Sequence, residues 1–333
     1  MKNPKVSVVI PTHNRAATVS KGIESVLAQT ETDLEVIVID DGSSDDTGRV
    51  LRETFGDKIR YHSQLNQGAS VARNKGIAES RGEWIAFLDS DDLWERNKLE
   101  WQFKALEQFG RRCDACYTDV RIFNHPETRT FFEMAENSYR HQGSMGVNPD
   151  VLRLLVRPGG AGMVVCLSSL MARADIVRKS GGLDPKLLYS QDSEFMFRLA
   201  MLTGFCYVNR PLVRFDRSPA DTRHVGVSSE WNKVDFFLKD SQLRLEGLLR
   251  IERLPGNIRQ LIRSQLATVH SGWANWYLEQ EEYGKARKAV SRAAKLDLTL
   301  NIAAKWMLTW ATPQLALRAV RQRKERARES FTV

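Results

Sequence analysis

The stretch FLDSDDLW sets Asp89, Asp91 and Asp92 at the end of an apolar run. Neighbouring carboxylates repel one another unless water, a helix end or a cation takes up their charge. Asp is a favoured helix cap, so the group could cap a helix beginning near Leu93. One cap uses one Asp, however, and a divalent cation shared with substrate phosphate oxygens accounts better for the surplus. A second cluster, DDGSSDDT (40–47), consists of ordinary turn formers, but Asp40 and Asp41 could also accept hydrogen bonds from a nucleobase or ribose. In NQGASVARN, Gly68 allows close backbone approach at a helix head. Five residues on, Arg73 could clamp a diphosphate by charge-assisted hydrogen bonds, or sit exposed on a helix.

These groups need a scaffold, and the first half of the chain supplies an alternating one. VSVVI (6–10), LEVIVI (34–39), KIRYHS (58–63) and WIAFL (84–88) read as strands. Between them Ala16, Val19, Ile23, Val26 and Leu27, then Val50, Leu51 and Phe55, then GASVARNKGIAES (68–80) keep helical spacing, and NKLEWQFKALEQF (97–109) follows. The pattern predicts an α/β fold with a mostly parallel sheet and helices on both faces. Ligands bind beyond the carboxyl ends of such strands. PTHN (11–14), DDGSSDDT, NQG and DSDD all fall there, which makes them candidates for one site. From about residue 232 the chain reads as helical, rich in Leu, Arg, Ala and Trp. Ala286, Val290 and Ala293 have the spacing of a tetratricopeptide helix, but one unit cannot make an array, so a helical hairpin is expected.

Composition excludes several classes. Hydrophobic residues are 42% and charged residues 27% of 333, as in a soluble globular protein. No run approaches the ~18 apolar residues of a membrane span, and the N-terminus does not read as a signal peptide, so a cytoplasmic location is expected. Four Cys are too few for a disulfide framework. Cys113 and Cys116 form a Cys-x-x-Cys in a strand-like segment, whose period of two would turn them to opposite faces, so buried small residues are expected rather than a metal or redox pair. The net charge is +8, and residues 300–333 hold seven basic residues against two acidic ones. Such a distribution argues against nucleic acid as partner and for an anionic surface beside the tail.

Taken together, VSVVIPTHNR, VIVIDDGSSDDT, NQGASVARNKG, GEWIAFLDSDDLW and GGLDPKLLYSQDSEFMFRLA resemble, in order and spacing, glycosyltransferase family 2, inverting enzymes of GT-A (Rossmann-like) fold that use nucleotide sugars. The resemblance spans about residues 4–228. It implies a catalytic domain over 1–228 and a helical region with a basic amphipathic tail over 229–333. By the same resemblance Pro11, Thr12 and Asn14 belong to the first nucleotide-binding loop, Asp41 reads the uracil ring, and Gly68 and Arg73 lie near the nucleotide. Asp89 and Asp91 are the Asp-x-Asp pair, with Asp91 the expected direct ligand of Mn2+ or Mg2+. Asp192 matches the catalytic base, the alternative being a helix N-cap, and His224 a loop position near the diphosphate and its metal. A base that deprotonates the acceptor hydroxyl during one direct displacement inverts the sugar carbon.

Two departures narrow the reading. The usual Glu-Asp pair is Gln191-Asp192 here, which removes a charge beside the base. The Gln-x-x-Arg-Trp motif of processive synthases is absent: Gln260 and Arg263 have its spacing, but Ser264 follows. The expected activity is transfer of one sugar, UDP-linked, to a glycan or lipid-linked acceptor of a surface polysaccharide. A sugar-phosphate nucleotidyltransferase is disfavoured because PTHNRAAT lacks the glycine-rich loop, and a glycan-binding or scaffolding protein without catalysis because Asp89, Asp91 and Asp192 are retained. Finally, IAAKWMLTWATPQLALRAVRQRKERAR (302–328) reads either as packed helix broken at Pro313 or as a segment drawn to anionic lipid.

Overall fold

The computed structural model describes residues 3–123, 130–134, 141, 143–156, 165–216 and 234–329. Contacts divide the chain into two compact units, one of residues 1–186 with 191–225, the other of 187–190 with 226–333. The expected boundary at 228/229 and His224 both lie outside the described residues.

The first unit is built on a nine-stranded sheet. β1 (Val6–Thr12) is buried at all seven positions, as a β-branched apolar run covered on both faces must be. It pairs in parallel with β2 (Leu34–Asp40), from Val6↔Leu34 to Thr12↔Asp40, and with β4 (Trp84–Phe87) from Val6↔Trp84 to Val9↔Phe87. β3 (Arg60–Ser63) adds to β2, so the order begins 3-2-1-4. The crossovers are α1 (Val19–Leu27), α2 (Thr47–Phe55) and α3 (Ala69–Glu79). Right-handed connections put α1 and α2 on one face and α3 on the other. At β1 the strand order reverses, which opens a crevice beyond Thr12.

The remaining strands are β5 (Asp92–Trp94), β6 (Cys113–Phe123), β7 (Met145–Asn148), β8 (Leu170–Arg173) and β9 (Gly204–Asp216). They complete the order 3-2-1-4-8-6-9-5, with β7 beside β9. Strands 5, 7 and 8 are antiparallel to their neighbours, and the other six share one direction. Helices α4 (Lys98–Phe109), α5 (Phe131–Met134), α6 (Val151–Val156), α7 (Ala174–Lys179) and α8 (Gln191–Ala200) complete the unit.

Two local expectations change. No helix starts at Leu93: Asp92, Leu93 and Trp94 pair antiparallel with Phe215, Arg214 and Val213, and the helix waits until Lys98. Nor do Cys113 and Cys116 face apart. The register with β9 shifts between Cys113 and Ala115, which breaks the alternation, and both thiols lie near that of Cys206. All three thiols are free and buried, as small core residues should be.

The second unit contains α9 (Val234–Leu249), α10 (Gly256–Glu279), α11 (Tyr283–Leu296), α12 (Leu300–Ala311) and α13 (Pro313–Glu329). Three residues join α10 to α11, and Ala289 and Val290 pack on Ala274, and Ala293 on Ala267, as the expected hairpin requires. Pro313 ends α12 and opens α13 at the first helical position, where its missing N–H removes nothing. Leu187–Ser190 belongs to this unit. The amides of Leu188, Tyr189 and Ser190 donate to the buried Asp240 carboxylate on α9 at 2.7, 3.3 and 3.0 Å, and the Ser190 hydroxyl adds a bond of 2.5 Å. Among the described residues no helix is long and apolar enough to cross a membrane.

Candidate active site

Three loops meet beyond the carboxyl ends of β1, β2 and β3. The Asp41 amide continues the ladder by donating to the Thr12 carbonyl at 2.8 Å. Asn14 stands in the left-handed region at φ +52°, which Asn tolerates, and its Oδ1 accepts from the Ser44 and Asp45 amides at 2.8 and 3.3 Å. Pro11 faces the β4 side of β1, past the last Val9↔Phe87 pair, so its lack of an N–H breaks no ladder bond. Asp41 is 4% exposed and ties the second loop to the third: Oδ1 accepts from Gln64 Nε2 at 2.8 Å and the Gln67 amide at 3.0 Å, Oδ2 from the Gly68 amide at 2.7 Å. Gly68, at φ +91°, leads into α3 in a conformation that side chains disfavour.

Arg73 rises from the first turns of α3, 5% exposed. Its Nη2 meets Asp89 Oδ1 at 2.5 Å and its Nη1 lies 3.9 Å from Asp192 Oδ1, in the first turn of α8. On the outer side Arg15 Nη2 approaches Asp91 Oδ2 at 3.5 Å. The chain before α8 is fixed from α3, because Asn74 exchanges two 2.8 Å hydrogen bonds with the Leu183 main chain. Gly182 permits this: at φ +73°, a Cβ there would stand 2.4 Å from Asn74 Oδ1.

Several buried polar atoms in this crevice have no hydrogen-bond partner among the described residues: Thr12 Oγ1, Arg73 Nε and Nη1, Gln191 Oε1 and Asp192 Oδ1. Buried polar groups are ordinarily paired, so such a cluster marks a place for a polar ligand. Electrostatics agrees. Burial pushes the Asp192 carboxyl up to about 6, with Arg73 pulling it down and Asp89 adding to the rise. Burial and the nearby Asp89 raise Asp91 as well. Asp92, 2% exposed, is pushed well above the usual carboxylate range by burial and by Asp89 and Asp91.

Among the described residues no group of three or more His, Cys, Asp or Glu could hold a metal ion unaided. Asp89 and Asp91 fit the other kind of site, in which one or two carboxylates share Mg2+ or Mn2+ with substrate phosphates.

The structure thus gathers Thr12, Asn14, Asp41, Gly68, Arg73, Asp89, Asp91 and Asp192 around one crevice. The cap alternative for Asp192 changes form, since α8 already begins at Gln191. Arg15 was not among the expected residues. It follows Asn14 in THNR, but its pairing with Asp91 spans 76 positions and leaves no local signal.

The strand order, its switch-point crevice and the helices around it define a GT-A type of α/β fold. The first 349 residues of S. aureus TarS, solved in complex with UDP-GlcNAc, share it at a TM-score of 0.70 and 16% identity, over 97% of this chain and 92% of that one. A mannosyltransferase from Pyrobaculum calidifontis, in complex with GDP-Man and Mn2+, shares it at 0.54 and 19%, over 96% and 86%. The glycosyl transferase family 2 model matches residues 7–156. A Rickettsia bellii protein described as an uncharacterized glycosyltransferase is 49% identical over 109 residues, 32% of this chain but only 16% of its own length. The family match thus covers a little under half of the chain, and the likeness of fold covers nearly all of it.

Proposed function

We propose that the protein transfers one sugar from a nucleotide sugar, UDP-linked, to a hydroxyl of a glycan or lipid-linked acceptor, with inversion. The observation that carries this reading is Arg73, buried between Asp89 and Asp192 with two N–H-bearing nitrogens unpartnered. An anionic diphosphate satisfies those donors. Asp192, with a carboxyl near 6, is ionised at neutral pH and basic enough to take the acceptor proton as the bond to the sugar carbon forms. Gln191 leaves that base without a second carboxylate beside it. Arg73 stays charged throughout and balances the carboxylates it touches. The first loop and Asp41 would border the nucleoside, the Asp41 oxygens retaining room for one further donor beyond their three internal bonds. Asp89 and Asp91 would hold Mn2+ or Mg2+, which when bound stabilises negative charge on the departing diphosphate. The mannosyltransferase solved with Mn2+ has the same fold and supports that choice.

The test is thermal stabilisation by nucleotide sugars with and without Mn2+, followed by assay of nucleotide diphosphate release on acceptor addition. Stabilisation by UDP-sugars and release of UDP support the reading. Formation of nucleotide sugar and pyrophosphate from a nucleoside triphosphate and a sugar 1-phosphate would instead indicate a nucleotidyltransferase, and glycan binding without turnover a scaffold.

A second reading concerns the tail. α12 and α13 bury Ile302, Ala316, Leu317 and Val320 yet expose Trp306, Met307, Trp310 and Leu315, with Arg318, Arg321 and Arg323 exposed on α13. The segment is therefore packed on one face, as the first expectation has it, and the second expectation concerns its exposed face. An aromatic and basic outer face suits the headgroup layer of an anionic membrane, and a lipid-linked acceptor would be met there.

A further inference from the structure

Beneath the Asp89–Asp92 loop lies a chain of buried polar groups that the proposed chemistry does not use. Ser168 sits in the 3-10 turn Leu167–Ser169 that leads into β8. Its Oγ accepts a hydrogen bond from the Asp89 amide at 3.0 Å. The Ser168 carbonyl accepts from Trp94 Nε1 at 2.9 Å. Next to it, the Ser169 carbonyl accepts from Gln102 Nε2 at 3.0 Å, and the same nitrogen donates to the Cys116 carbonyl at 2.9 Å. Lys98 Nζ donates to Gln102 Oε1 at 2.8 Å and lies 3.9 Å from the Trp94 ring centroid.

Lys98, Gln102, Ser168 and Ser169 are all fully buried. A core needs no such groups for stability, whereas a connected polar network fixes one arrangement of what it touches. Here it touches the acidic loop at its first residue, Asp89, and just past its last, at Trp94. Strong repulsion among three neighbouring carboxylates would otherwise spread the loop.

We infer that Ser168 is a positioning residue for the nucleotide diphosphate and its cation: by holding the Asp89 amide on its hydroxyl and the Trp94 indole on its carbonyl, it sets where the Asp89 and Asp91 carboxylates stand. This rests on the reading of Asp89 and Asp91 as donor-site ligands. Ser169 supplies the control. It is equally buried, but its hydroxyl donates to the Cys166 carbonyl at 2.8 Å rather than to a group of the acidic loop.

The experiment measures UDP binding in the presence and absence of Mn2+ by calorimetry, and amide hydrogen exchange at Asp89 in the ligand-free protein. It compares the full-length chain with Ser168→Ala, Ser168→Cys and Ser169→Ala, each checked for cooperative unfolding. Partners of ligand-bearing residues typically matter 10- to 100-fold, so Ser168→Ala weakens Mn2+-dependent UDP binding by roughly that factor, while Ser169→Ala stays within about twofold. Ser168→Cys, which keeps a weak donor and acceptor, falls between. The Asp89 amide exchanges faster in Ser168→Ala alone. Wild-type affinity in Ser168→Ala, or an equal loss in Ser169→Ala, overturns the inference. If the wild-type chain binds no UDP with Mn2+, the donor-site reading fails on its own; unchanged exchange at Asp89 in Ser168→Ala then overturns the role of Ser168, and faster exchange upholds its hold on the loop.

Discussion

Asp192 carries opposite demands. Its folded carboxyl titrates near 6, above the ordinary 3.8, so the unfolded chain gives up this proton more readily than the native one. The contribution of Asp192 to stability is therefore largest below pH 3.8 and is lost as pH rises through 6. Asp192→Asn removes that loss and should raise the melting temperature at pH 7, while lowering kcat by roughly 10²- to 10⁴-fold as expected for a missing general base. In the wild-type enzyme kcat/KM should fall as pH drops below about 6, as the base is protonated. A melting temperature that falls in Asp192→Asn would contradict the balance described here. Arg73→Lys keeps the charge but removes the planar fork, and hydrogen bonds to charged groups make this a loss of roughly 10- to 100-fold in donor affinity, readable by titration with UDP. At this scale the sequence spoke through crowding: three carboxylates in four positions had to be explained. Arg15 and Ser168 were silent because their partners lie 76 and 79 positions away and their residue types are ordinary.

At the level of elements, strand ends place the chemistry. Hydrophobic runs of β1, β2 and β4 were readable because strands buried on both faces leave unbroken apolar stretches. The short β5 was not, because Asp92–Trp94 owes its conformation to Val213–Phe215, a pairing made across more than a hundred residues. A propensity argument could see only an Asp before a helix. The bulge that gathers Cys113, Cys116 and Cys206 escaped for the same reason. The turn before α8 offers a direct check. Gly182→Ala forces a side chain into a left-handed position and against Asn74, so it should cost about 1–3 kcal/mol, measured by urea unfolding. It should also lower kcat more than donor affinity, because Asn74 braces the approach to Asp192 and not the diphosphate loops. Equal stability with an unaltered kcat would refute this account of the brace.

For the molecule as a whole, charge and packing decide how the tail can be tested. Deleting residues 300–333 would uncover Leu278 and Ala286, which pack with Ala316, Leu317 and Val320, so loss of membrane binding in a truncation would be ambiguous. Reversing exposed charges avoids this. Each basic residue near an anionic surface contributes about 1 kcal/mol, so Arg318→Glu with Arg321→Glu should reduce binding to phosphatidylserine vesicles at least tenfold, leaving UDP affinity unchanged. Unchanged vesicle binding would dismiss the membrane surface as a partner. The basic tail was legible from composition. Its two-faced packing was not, since burial depends on what α11 offers: Trp306 and Trp310 both point their indole N–H at Ser291, at 3.0 and 3.3 Å. The Asp240 clamp on Leu188–Ser190 has a consequence in time as well. Asp240 follows Ser190 by 50 positions. At ribosomal rates of about 5–20 residues per second, Leu188–Ser190 waits roughly 3–10 s for the carboxylate that fixes it. A nascent chain can therefore finish every strand of the sheet before this clamp can close, and Leu188–Ser190 stays untied until the first helix beyond those strands has been made.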